Sequence, residues 1–122
     1  MSVVGTAVLG IKGLLGIAML GAGGMKVAGA EQLVEDFDRF GYPQWFRSVT
    51  GGIEVVAGLA LFASFVTTST AALAAGLVVA AVMAGAVVTH ARAGDATSEM
   101  VPPAALFVLA LVVSSYSAGF LG

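Results

Sequence analysis

Residues 23–58 read GGMKVAGAEQLVEDFDRFGYPQWFRSVTGGIEVVAG, and the class of the protein follows from this stretch and its surroundings. From Lys26 to Glu54 it holds three of the five basic residues and five of the seven acidic ones. On either side the chain is almost entirely Ala, Val, Leu, Gly and Ser. A charged bridge between two long apolar runs marks a chain that leaves a bilayer and re-enters it.

Composition agrees. Of the 122 residues, 59% are hydrophobic and 10% charged, with a mean hydropathy of +1.04, outside the range of soluble domains. The length fits one membrane domain, 1–122, and each run of about 20 apolar residues is enough to cross the hydrocarbon core. A net charge of −2 gives no reason to expect nucleic acid as a partner. The absence of cysteine excludes thiol redox catalysis, disulfides and cysteine-ligated metals. No basic residue precedes the first apolar run, so that run is expected to be a retained span and not a secretory signal.

The predicted fold is all-α: an integral membrane four-helix bundle with a short interfacial amphipathic helix between spans one and two. The spans are placed at about residues 3–25, 45–66, 71–90 and 103–120, and the interfacial helix at about 30–40. In the first span Lys12, Gly16, Met19, Gly23 and Lys26 recur at steps of three and four and share one stripe. A lysine at mid-span costs about 3 kcal/mol, so Lys12 either snorkels to the nearer surface or pairs inside the bundle. In the bridge, Leu33, Val34, Phe37 and Phe40 fall on one helical face opposite an acidic one. Gly41 and Pro43 stop that helix. Trp45 and Phe46 stand where aromatic side chains favour the membrane surface.

The second span carries Glu54 among Gly51, Ala57 and Gly58. Small neighbours admit another helix, which directs the carboxylate into the bundle. In the third span Ala72, Gly76, Ala80 and Ala84 form a small-residue seam, and Met83, Ala86 and His90 share another face. Pro102 and Pro103 are expected to open the last span, in which Ser114, Ser115 and Ser117 can bond back to their own helix. The loops after spans one and three hold Lys26, Arg39, Arg47 and Arg92. The positive-inside rule therefore predicts that both loops are cytoplasmic and both termini outside. Lys26, Glu54 and His90 then converge on a polar pocket near one face, floored by Met19 and Met83, with Lys12, Gly58, Tyr42 and Trp45 as further pocket residues.

In order and spacing, Gly23-Gly24-Met25-Lys26, Phe40-Gly41-Tyr42-Pro43, Gly52-Ile53-Glu54-Val55-Val56-Ala57-Gly58 and Met83-Ala84-Gly85-Ala86-Val87-Val88-Thr89-His90 resemble the DoxX-like family. The resemblance covers nearly the whole chain. It implies a four-helix membrane bundle in which Lys26, Glu54 and His90 correspond to the family's characteristic polar positions. The family's namesake is associated with membrane sulfur and quinone oxidation, as a subunit beside other proteins. This chain has no cysteine, and its single histidine cannot supply bis-His haem ligation.

Two functions compete. One is an acid/base pocket in which Glu54, Lys26 and His90 act on a small apolar molecule by isomerisation, cyclisation or epoxide opening, with no cofactor and no metal. The other is a non-catalytic accessory or assembly subunit of a quinone-linked redox system, as the resemblance implies, with the bridge as docking surface. A carrier of a lipophilic molecule or proton ranks third, because four spans without an inverted second half would need a homodimer. The expected partners are the lipid bilayer, a small apolar ligand or quinone, and a second copy or a membrane partner subunit.

Overall fold

The computed structural model describes residues 2–121, which form five helices and no strand: α1 (Val3–Ala28), α2 (Glu31–Phe40), α3 (Gln44–Ala63), α4 (Ser69–Arg92) and α5 (Thr97–Ser117). Four of them, all but α2, are long and apolar enough to cross a membrane. The architecture is the four-helix membrane bundle expected from the sequence. Ile17, Val56 and Leu59 are each more than half exposed on its outer surface, as side chains facing lipid would be.

Most boundaries have a local cause. Ser2 caps α1 by accepting the Gly5 N–H at 2.9 Å. The helix runs three residues past Met25, until Gly29 adopts the left-handed conformation (φ 76°) that closes the last turn. Gly41 (φ 83°) ends α2 in the same way, at the predicted stop. The last span differs from expectation. α5 starts at Thr97, so Pro102 and Pro103 lie in its second turn and not at its opening. Without their N–H groups the carbonyls of Ser98 and Glu99 lose helical partners. Both residues are exposed, so water can take the vacant bonds.

The helices pack as two close pairs, α1 with α3 and α4 with α5, joined along a looser seam between α3 and α4. The predicted stripe of α1 is its buried face: Lys12, Gly16, Met19 and Gly23 all lie inward. Gly23 and Gly51 set the approach of α1 to α3. A Cβ at Gly23 would come within 2.6 Å of the Gly51 carbonyl oxygen, and one at Gly51 within 2.7 Å of the Gly23 oxygen. In the other pair, Ala72, Gly76 and Ala80 are buried as the small-residue seam requires. Gly76 makes room for Ser114, whose hydroxyl donates to the Leu73 carbonyl of α4 at 3.1 Å. The hydroxyl of Ser114 thus ties two helices together instead of bonding back to its own.

Gly23→Ala or Gly51→Ala must push two backbones apart and should cost about 1–3 kcal/mol, as overpacking does. Gly24 has open space around it, so Gly24→Ala should be neutral or stabilising by up to about 1 kcal/mol. Unfolding in graded detergent mixtures, followed by circular dichroism, checks the contrast. Equal effects at the two kinds of position would show that the backbone contact is not limiting.

Candidate functional site

Lys26 and Glu54 each stand one turn beyond a contact glycine, so the touching of α1 and α3 brings their side chains together. Lys26 Nζ donates to Glu54 Oε1 at 2.8 Å. Glu54 is 1% exposed and Lys26 16%, which leaves the ammonium nearer the surface and the carboxylate inside. The second carboxylate oxygen, Oε2, is buried and has no hydrogen-bond partner among the described residues.

This pair forms one wall of a cavity of about 640 Å³ in the α3–α4 seam. Phe37, Phe40 and Tyr42 roof it, Phe46 and Ile53 of α3 flank it, and Met83 and His90 of α4 close it. The roof is built by ring packing: Phe37 meets Phe40 edge-on at 5.9 Å and Tyr42 at 6.1 Å, and Phe40 meets the His90 ring at 5.4 Å. The hydroxyls of Tyr42 and Thr89 lie 2.8 Å apart, and Arg92 Nη2 donates to the Tyr42 oxygen at 3.1 Å.

The roof helix α2 is fastened to both helix pairs. Toward α3, Gln44 Nε2 donates to the Val34 carbonyl at 3.0 Å and to Asp38 at 2.9 Å. Arg47 Nε donates to Gln44 Oε1 at 2.7 Å, and the Arg47 guanidinium also donates to the Lys26 carbonyl, tying α3 to α1. Toward α4 and α5, Arg39 grips both oxygens of Asp95 at 2.5 and 3.2 Å, and His90 Nδ1 reaches Asp95 Oδ2 at 2.6 Å. The Arg39 guanidinium and then His90 hold the Asp95 carboxyl below its ordinary value. Asp95 in turn holds the Arg39 guanidinium above its own.

Of the residues singled out in the sequence, Lys26, Glu54, His90, Tyr42 and Met83 line this one cavity. No hydrogen bond joins His90 to Glu54 or Lys26; the histidine is engaged with Asp95. Four residues expected in the pocket lie elsewhere. Met19 is fully buried in the packed core and floors nothing. Gly58 is closed off by α1, since a Cβ there would come within 3.0 Å of the Gly16 carbonyl oxygen. Trp45 is 66% exposed on the outside. Lys12 is about 21 Å along α1 from Lys26 at 1.5 Å per residue, at the far end of the bundle, and does not pair with Glu54. Conversely, the fastenings by Arg39, Arg47 and Thr89 had no local signal. The aromatic face of α2 was visible, but not that it roofs a cavity.

Among the described residues no three His, Asp or Glu side chains come together as metal ligands would. The fold and site define a multi-pass helical membrane protein in which a lysine is paired with a buried carboxylate beside a largely apolar cavity. The chain belongs to the DoxX-like family, whose model matches residues 10–113. It is 37% identical over 76 residues to the uncharacterized protein YdgD of Bacillus subtilis (strain 168), an alignment covering 62% of this chain and 66% of that relative's length. No solved structure matches the chain.

The depressed Asp95 gives the α2 fastening a pH dependence of known sign. A carboxyl with a lower value folded than unfolded contributes stability above its unfolded value, here 3.8, and loses it as pH falls through the folded value. Hydrogen-exchange protection of the α2 amides, corrected for intrinsic rates, should hold from neutral pH to about 4 and fall below it. Asp95→Asn should lower protection at neutral pH and flatten the acid response. An unchanged profile in that variant would show that α2 is held by its apolar face alone.

Proposed function

We propose that the cavity beside Glu54 binds a small, largely apolar molecule carrying one hydrogen-bond donor, and that Glu54 accepts that donor. The observation that carries this reading is the unpartnered Oε2 of a carboxylate that is 1% exposed and lines the cavity. A buried acceptor left unsatisfied costs about 1–3 kcal/mol, which a donor on the ligand would return. The volume of about 640 Å³ lies within the span of small-molecule sites, about 300–1,000 Å³. Aromatic and aliphatic walls supply the rest of the affinity through area removed from water or lipid.

The same groups suit cofactor-free proton transfer. Glu54 would take a proton from one atom of the ligand and return it to another, so that an isomerisation balances without a co-reactant. Lys26 would face the negative charge that develops, and His90 with Asp95 would exchange protons at the cavity mouth. Lys26, Arg39, Arg47 and Arg92 all lie toward this end of the bundle, which by the positive-inside rule would be the cytoplasmic one.

1-Naphthol and naphthalene differ by one hydroxyl and fit the cavity's scale. The purified protein in micelles should bind 1-naphthol about tenfold more tightly, the worth of a hydrogen bond to a charged acceptor. Lys26→Met alone strands a buried carboxylate and should destabilise by about 3 kcal/mol. Lys26→Met combined with Glu54→Leu removes both charges; it should recover most of that stability yet lose the preference for the hydroxyl. Equal binding of the two compounds by the native protein, or a preference that survives in the double variant, would sink the reading.

A further inference from the structure

A second cavity, of about 440 Å³, opens at the other end of the bundle, where α1 and α4 begin and α3 and α5 end. Lys12 reaches into its wall. The residue is only 9% exposed, and its ammonium lies 4.5 Å from the centre of the Phe65 ring. It makes no ion pair among the described residues. The sequence explains why. All seven acidic residues fall within 31–54 or 95–99, in α2, in the half of α3 near it, or around the α4–α5 loop, so the end holding Lys12 has a cation and no carboxylate side chain.

A lysine in a span costs about 3 kcal/mol even when it snorkels, and a cation–π contact returns only part of that, about 0.5–2 kcal/mol. The hydroxyl-bearing residues Ser64, Ser69, Tyr116 and Ser117 line the same cavity. Ser64 already donates to the Leu61 carbonyl at 2.6 Å. An ammonium and hydroxyl-bearing residues around one space, with no acidic side chain among them, suit an oxyanion. Val8, Leu9, Ala72 and Leu121 make the remaining wall apolar, which suits the first methylenes of a chain better than a free, fully hydrated ion.

We propose that this cavity holds the oxyanion head, carboxylate or phosphate, of an acyl-chain amphiphile, with Lys12 as its counter-charge. The site is separate from the one beside Glu54 and stands or falls independently of it. Two sources supply such a head: a phospholipid of the surrounding bilayer and a free fatty acid.

The test uses delipidated full-length protein in nonionic micelles, with binding read by native mass spectrometry and by the shift in thermal unfolding. The additions are phosphatidylglycerol, oleate, the uncharged analogue oleyl alcohol, and inorganic phosphate. Oleate or phosphatidylglycerol should bind and stabilise, and Lys12→Met should weaken that binding about tenfold or more, while Lys12→Arg retains it. Binding of phosphatidylglycerol alone assigns the head to the bilayer, and of oleate alone to a free acid. Oleyl alcohol binding as well as oleate, inorganic phosphate binding as well as either amphiphile, or an indifferent Lys12→Met would each overturn the proposal. Should Lys12→Met fail to fold, Ser69→Ala with Ser117→Ala removes two hydroxyl donors from the same wall and should weaken binding severalfold; unchanged binding there also counts against it.

Discussion

Where α1 crosses α3, two glycines let the backbones touch, and the position of the buried charges depends on that contact. Gly23 and Gly51 are each three residues before a charged partner, and neither tolerates a Cβ without displacing the other's carbonyl. The close crossing places Lys26 Nζ 2.8 Å from a carboxylate that is otherwise sealed from water. Stability alone does not explain such a pair. Replacing a buried ion pair by apolar residues of similar volume is often neutral or stabilising, and here one carboxylate oxygen is not even satisfied. That arrangement supports reading Glu54 as a group kept for what it can accept.

The same crossing determines where space is left. With α1 tight on α3 and α4 tight on α5, the boundaries between the pairs are slack, and the larger cavity lies in the α3–α4 seam. α2 bridges the two pairs. Gln44 anchors it to one pair, and Arg39, through Asp95 and His90, to the other. Widening the seam must therefore stretch one set of fastenings or lift the aromatic roof. Access to Glu54 is tied to how α2 is held, although no residue of α2 hydrogen-bonds the carboxylate.

Hydropathy and helical period made much of this legible. They located four spans and an amphipathic helix, the stop at Gly41, the buried stripe of α1 and the inward direction of Glu54 among small residues. Period tells which side of a helix is buried, but not which neighbour lies at each depth. Lys12, Met19 and Lys26 share a stripe yet face three different surroundings: a polar cavity at one end, the packed core, and Glu54. Grouping them into one pocket was the error that follows. The tie between Arg39 and Asp95 joins residues 56 apart in sequence, so no local pattern could announce it. Pro102 and Pro103 misled for another reason: a helix end open to water tolerates missing N–H groups beyond its first turn.

The two cavities make opposite demands. Among the described residues, an acceptor oxygen of Glu54 lacks a donor, and the cation beside the hydroxyl-bearing residues at the other end lacks an acidic partner. Between them lie Leu15, Met19, Leu61, Val79 and Val113, all less than 2% exposed. Protein interiors leave few voids larger than a water molecule, so these buried side chains separate the two spaces. A solute moving from one to the other would have to separate helices whose glycines already bring backbone against backbone. It would also have to exchange an acceptor site for a donor site on the way. The geometry therefore weighs against a passage through the middle of the bundle within one chain.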